Sequence, residues 1–137
     1  GEWEQSLVAY ERAVDLKPED PALRNNLGNT YQIFGRAGEA LVQHQRALAL
    51  VPGDPETLLN MGNALKMDGL YGQAIDHYRR AVAGHRDFAG AWLNMGLVYE
   101  KMHQSENALA AYAKAVQLDP TYAPQVAARR RAMGHGP

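Results

Sequence analysis

Apolar positions recur along the chain at the three-to-four-residue spacing of an amphipathic helix. Ala37, Leu41, His44 and Leu48 fall on one such stripe, and Ile75, Tyr78 and Val82 repeat it. Near the start, Trp3, Leu7, Tyr10 and Val14 form another stripe before Pro18 interrupts the pattern. The punctuation between stripes is equally regular. Asp20-Pro21 and Asp54-Pro55 are helix starts. There the aspartate accepts an orphan backbone N–H, and proline occupies a first-turn position that needs no donor. From each start a helix of about four turns is predicted, ending at Gly35 and Gly69 in a left-handed cap. A second helix then runs toward Pro52 in one unit and Pro120 in another, because proline rarely continues a helix. Pairs of helices joined by tight turns are the expected element.

The pairs repeat. Gly28, Gly62 and Gly96 are 34 residues apart, and so are Ala40, Ala74 and Ala108; Ala47, Ala81 and Ala115; and Asn26, Asn60 and Asn94. The organisation expected is residues 1–20 as the second helix of a preceding unit, then units at 21–54, 55–88 and 89–122. Residues 123–137 are read as a C-terminal capping helix and an unstructured tail, "MGHGP". A glycine inside a helix costs about 1 kcal/mol relative to alanine, so three at one period imply a packing role. Each is expected to face an alanine of the second helix: Gly28 against Ala40 or Ala47, Gly62 against Ala74, and Gly96 against Ala108.

These columns resemble the tetratricopeptide repeat family, whose 34-residue helix–turn–helix units carry a bulky residue, Leu-Gly, Tyr, then Ala, an aromatic, Ala and Pro. The unit at 89–122 fits best, with Trp92, Met95-Gly96, Tyr99, Ala108, Tyr112, Ala115 and Pro120. The unit at 21–54 departs at Arg24 and His44, and the unit at 55–88 at Leu65 and Arg86. His103 replaces the turn glycine, which points to a looser turn there. The resemblance implies an all-α, right-handed α-solenoid of about eight helices, excised from a longer parent, with its first helices lining a concave groove.

Carried onto this chain, the family's inward-facing columns give Asn25, Asn26, Asn29, Gln32 and Ile33 in the first unit. They give Glu56, Leu59, Asn60, Asn63, Lys66 and Met67 in the second. In the third they give Leu93, Asn94, Leu97, Glu100 and Lys101. A primary amide offers donors and an acceptor together, the complement of a peptide unit. Adjacent helices pack about 10 Å apart, close to the span of three extended residues at roughly 3.3 Å each. Asn26, Asn60 and Asn94 are therefore read as a ladder that grips a polypeptide backbone, as similar ladders do in the repeats of a glycosyltransferase. The competing reading has each amide bond a neighbouring helix and support stacking. A clamp for a C-terminal carboxylate is not expected, because its basic columns hold Asn25, Leu59, Leu93, Gly90 and Asn94.

Composition narrows the function. A net charge of −1 argues against nucleic acid or an anionic membrane as the partner, and the basic run Arg129–Arg131 does not change that. No apolar run approaches the roughly 18 residues of a membrane span. With no cysteine there is neither a disulfide framework nor thiolate chemistry. The five histidines show no metal-ligand spacing, and His44 falls at an interior column. No nucleophile elbow, phosphate loop or dinucleotide fingerprint is present. Glu39, Asp76 and Glu106 fall on outward positions. No catalysis, metal or cofactor is expected. The leading expectation is a scaffold that binds a protein or peptide partner in its groove. A substrate-recruiting segment of a larger enzyme such as a glycosyltransferase is the alternative. Self-association is a third, through a terminal helix that leaves Trp3, Leu7 and Tyr10 uncovered.

Overall fold

The computed structural model describes residues 1–85 and 87–135. Its elements are α1 (Glu2–Leu16), α2 (Pro21–Ile33), α3 (Ala37–Leu50), α4 (Pro55–Met67), α5 (Tyr71–Gly84), α6 (Ala89–Lys101), α7 (Ser105–Leu118) and α8 (Ala123–Ala132). A 3-10 turn, Pro120–Tyr122, joins α7 to α8. Arg86, in the family's proline column, lies outside the described residues, as do Gly136 and Pro137 of the tail.

Local chemistry accounts for the boundaries. Asp20 accepts from the Leu23 N–H at 3.1 Å and Asp54 from the Thr57 N–H at 3.0 Å, each ahead of proline at the first helical position. Between the two helices of each hairpin the chain makes the same turn three times. The N–H groups of Arg36, Leu70 and Gln104 donate to the carbonyls of Tyr31, Leu65 and Tyr99, all at 2.9 Å. This closure demands a left-handed residue, supplied by Gly35 (φ +71°), Gly69 (φ +77°) and His103 (φ +59°). The turn at His103 is therefore not looser. The Gln104 hydrogen bond holds the histidine in the conformation that glycine adopts elsewhere.

The hairpins α2–α3, α4–α5 and α6–α7 stack into a right-handed α-solenoid. Their first helices form an inner layer: the backbones of α2 and α4, and of α4 and α6, approach each other, whereas no two of α3, α5 and α7 do. The layer whose members are closer is the concave one. Ala40, Ala74, Ala108, Ala47, Ala81 and Ala115 are all fully buried.

The helical glycines do not face those alanines, contrary to the sequence expectation. A Cβ at Gly62 would meet the Tyr78 ring at 2.5 Å, one at Gly28 would meet the His44 ring at 2.5 Å, and one at Gly96 would meet Tyr112. Below 3.0 Å such an atom cannot be accommodated unless the ring moves. The glycine column exists because a fully buried ring from the second helix occupies the space a Cβ would need.

The two ends also depart from expectation. On α1, Val14 is buried and Leu7 and Tyr10 pack against the cluster of Val14, Leu27, Tyr31, Ala40 and Ala64, so only Trp3 of the three named residues stays mostly exposed. On the C-terminal side, α8 packs against α7 through Val126 but makes no backbone approach to α6. The described part of the tail is a helix cap and not an unstructured segment. The His135 N–H donates to the Arg130 carbonyl at 2.9 Å, and Gly134 is left-handed (φ +82°).

Candidate functional site

The inner layer brings α2, α4 and α6 side by side and sorts their inward columns into floor, engaged and free groups. Leu93 is buried in the core cluster, and Leu59 and Leu97 pack against it, so these three lie in the floor. Ile33, Met67 and Lys101 are exposed. Asn26 and Asn29 are also exposed, whereas Asn60, Asn63, Asn94 and Lys66 are half-buried.

The polar tip of each buried ring reaches this face from behind. In the first hairpin His44, with no exposed surface, sits 2.9 Å through Nδ1 from Asn25 Oδ1 and 3.0 Å through Nε2 from Gln32 Nε2. Only one neutral tautomer satisfies both contacts: Nδ1 donates to the Asn25 carbonyl and Nε2 accepts from the Gln32 amide. Asn25 Nδ2 in turn donates to Thr57 Oγ1 at 2.8 Å, and Gln32 Nε2 to the Asn60 carbonyl at 3.2 Å, so the network ties α2 and α3 to α4. Burial pulls the His44 pKa from 6.5 down to about 4.

In the second hairpin the Tyr78 hydroxyl donates to Asn63 Oδ1 at 2.6 Å. In the third, the Tyr112 hydroxyl donates to Glu100 Oε2 at 2.6 Å, and the same oxygen accepts from Arg129 Nε and Nη2 of α8, each at 2.8 Å. Glu100 is thereby removed from the groove surface, its side chain only 8% exposed. Burial raises the pKa of both tyrosines, and for Tyr112 the hydrogen-bonded Glu100 carboxylate adds to the effect.

Asn25, Gln32, Asn63 and Glu100 are thus engaged from within. Asn26, Asn60 and Asn94 differ, because among the described residues their side chains enter no hydrogen bond. Only the backbone carbonyls of Asn26 and Asn60 accept, from Thr30 Oγ1 and Gln32 Nε2. The helix-to-helix amide bonds that would make the ladder a stacking device are not formed. What the residue-by-residue reading passed over was the His44 network. Its signal was present: a histidine at an otherwise aromatic column, opposite amides at 25 and 32. Arg24, in place of the bulky residue, is buried and donates through Nε to the Pro18 carbonyl at 3.0 Å and through Nη1 to Gln43 at 2.9 Å. Among the described residues no cluster of His, Asp or Glu is arranged to hold a metal ion.

Known proteins match this architecture. Family models described as Tetratricopeptide repeat match residues 19–87 and 89–122, and one described as TPR repeat matches residues 1–32. No curated protein matches the chain. Among solved structures, a crystal structure of MamA superposes with a TM-score of 0.82 at 24% identity, covering 96% of this chain and 79% of that one. A second MamA structure gives 0.77 at 28% identity, over 88% of this chain and 66% of that one. MamA MSR-1 gives 0.75 at 23% identity, over 88% and 70%.

Proposed function

The chain belongs to the tetratricopeptide repeat family, a fold of protein-interaction scaffolds, and from that premise we propose that its concave groove binds a polypeptide segment. The observation that carries this reading is the unengaged set of side-chain amides on Asn26, Asn60 and Asn94, one on each inner helix. An extended backbone laid across α2, α4 and α6 presents N–H and C=O groups at a pitch the three amides match, with little demand on its own side chains. Asn29 and the exposed Ile33 and Met67 extend the contact surface, and Leu59, Leu93 and Leu97 hold its floor. In this reading the chain carries no chemical step and acts by holding its partner.

The test is selection from a library of displayed unstructured peptides by the wild type and by the triple variant Asn26→Ala, Asn60→Ala, Asn94→Ala. Both proteins are first checked for equal helicity. Enrichment by the wild type and its loss in the variant are expected. Equal enrichment by both would remove the ladder from recognition.

A second reading, self-association, has its own observation: α1 leaves Trp3 56%, Val8 56% and Leu16 82% exposed. Light scattering over a concentration series tests it. A mass that rises with concentration, and that Trp3→Ser suppresses, is the result it requires.

A further inference from the structure

The same column carries Gln32, Lys66 and Glu100, and the three hairpins treat it differently. Gln32 is held by His44, and Glu100 by Tyr112 together with Arg129. In the middle hairpin the ring tip turns to Asn63 instead, so Lys66 receives nothing from behind. The ion pairs among the described residues engage Glu4, Glu39 and Glu100, and none of them with Lys66. Lys66 is therefore a half-buried ammonium in the last turn of the middle inner helix, with no anionic partner among the described residues. Its burial holds the pKa below the ordinary lysine value, a penalty that an incoming anion would reverse.

Asn63 points to the same complement. Its Oδ1 already accepts the Tyr78 hydroxyl, so the groove meets its Nδ2 donors. Asn63 and Lys66 lie three residues apart, on one face of α4. Together they present N–H donors and a positive charge, with the one acceptor atom, Asn63 Oδ1, already engaged by the Tyr78 hydroxyl. Glu100, the carboxylate in the same column on α6, has its charge met by Arg129. Glu56 stands ten residues back along α4, roughly 15 Å away.

We propose that the segment bound in the groove carries an internal aspartate or glutamate, whose carboxylate is received by Lys66 and the Asn63 amide, about one to two turns along α4 from the Asn60 rung. This assignment rests on the groove-binding reading and adds to it a class of partner and a register. The acid fixes where along the chain the otherwise sequence-tolerant amide ladder takes hold. A charge-assisted hydrogen bond in a partly desolvated site is worth more than a neutral one, so one acidic position suffices to set that register.

A display library in which both peptide ends are joined to the carrier tests the assignment, because it offers no free C-terminal carboxylate. Wild type, Lys66→Gln and Lys66→Arg are compared after equal melting temperatures are verified. The expected result is enrichment of Asp or Glu at one position by wild type, retained with Lys66→Arg and lost with Lys66→Gln. For a selected peptide, Glu→Gln should weaken binding to wild type roughly tenfold and binding to Lys66→Gln by less than twofold. Peptides selected without an acidic position, or an acidic preference indifferent to Lys66→Gln, would overturn the assignment while leaving groove binding intact. Selection of no peptide by wild type would overturn both.

Discussion

His44 and Tyr78 occupy the same place in successive hairpins, each fully buried and each lying where a Cβ on the opposing glycine would have to go. The backbone around them is alike, down to the 2.9 Å closure of the inter-helix turn. Their effects on the groove are opposite. The imidazole has two polar atoms and uses both, fixing Asn25 and Gln32 and, through them, α4. The phenol has one and spends it on Asn63, leaving Lys66 beside it unmet. One buried position per repeat therefore decides which inner-layer side chains are committed and which remain free. The packing solution is shared; the groove surface is not.

The shared part can be broken first. Gly62→Leu drives a side chain into the Tyr78 ring and should destabilise by about 3 kcal/mol or more, read from denaturant unfolding. Adding Tyr78→Ala should recover part of that loss, because the two changes meet in the same space. A Gly62→Leu protein with an unchanged midpoint would refute the close-contact account.

The difference between the hairpins should appear as a pH effect of similar size. His44 is held neutral, its folded pKa pulled from the ordinary 6.5 down to about 4 by burial. The unfolded chain therefore binds the extra proton between those values. Stability is complete above pH 6.5 and falls as pH drops toward 4, by about 3 kcal/mol from this residue. His44→Phe keeps a ring over Gly28 and removes the titration. Its stability should fall less than wild type's across that window by the His44 share, as urea titrations at pH 7, 5.5 and 4.5 would show. Parallel losses in the two proteins would mean that His44 does not report the window.

Smaller changes probe the third hairpin. Arg129→Met removes one partner of Glu100 but leaves the Tyr112 hydroxyl, and Arg129 is itself substantially exposed. Its loss should amount to about 1 kcal/mol in thermal unfolding and should diminish in high salt. His103→Gly relieves a left-handed non-glycine residue and should gain about 0.5–1 kcal/mol. A loss there would mean that the imidazole makes a contribution the turn geometry does not explain.

The fold was legible because its signals are local and periodic. Aspartate-proline starts, turn glycines and a 34-residue recurrence each name an element without knowledge of its neighbours. Contacts between elements were less legible. The glycine column was matched with alanines of the second helix, when the side chain that requires it is the ring at 44, 78 and 112. Small residues signal close approach but do not say to what. The candidate groove divides along the same line. Its columns could be placed by register, but whether a side chain is free depends on what reaches it from behind. Asn25 and Asn63 read like Asn26 and Asn60 in sequence, and only the buried rings separate them. Lys66 was placed in the groove by register, but nothing in the sequence set it apart from Lys101 in the next unit. Its lack of a partner emerges only when three copies of the same column are compared in space.

The central claim is that the free amides of the inner layer grip a polypeptide, and side-chain NMR measures it directly. The Asn26, Asn60 and Asn94 NH2 resonances would be followed while a display-selected peptide is titrated into the labelled protein, with Asn107 on α7 as the control outside the inner layer. The account predicts that the three ladder amides shift together and saturate at one dissociation constant, while Asn107 stays fixed. Saturating shifts confined to α3, α5 and α7, with the three ladder amides unmoved, would contradict it.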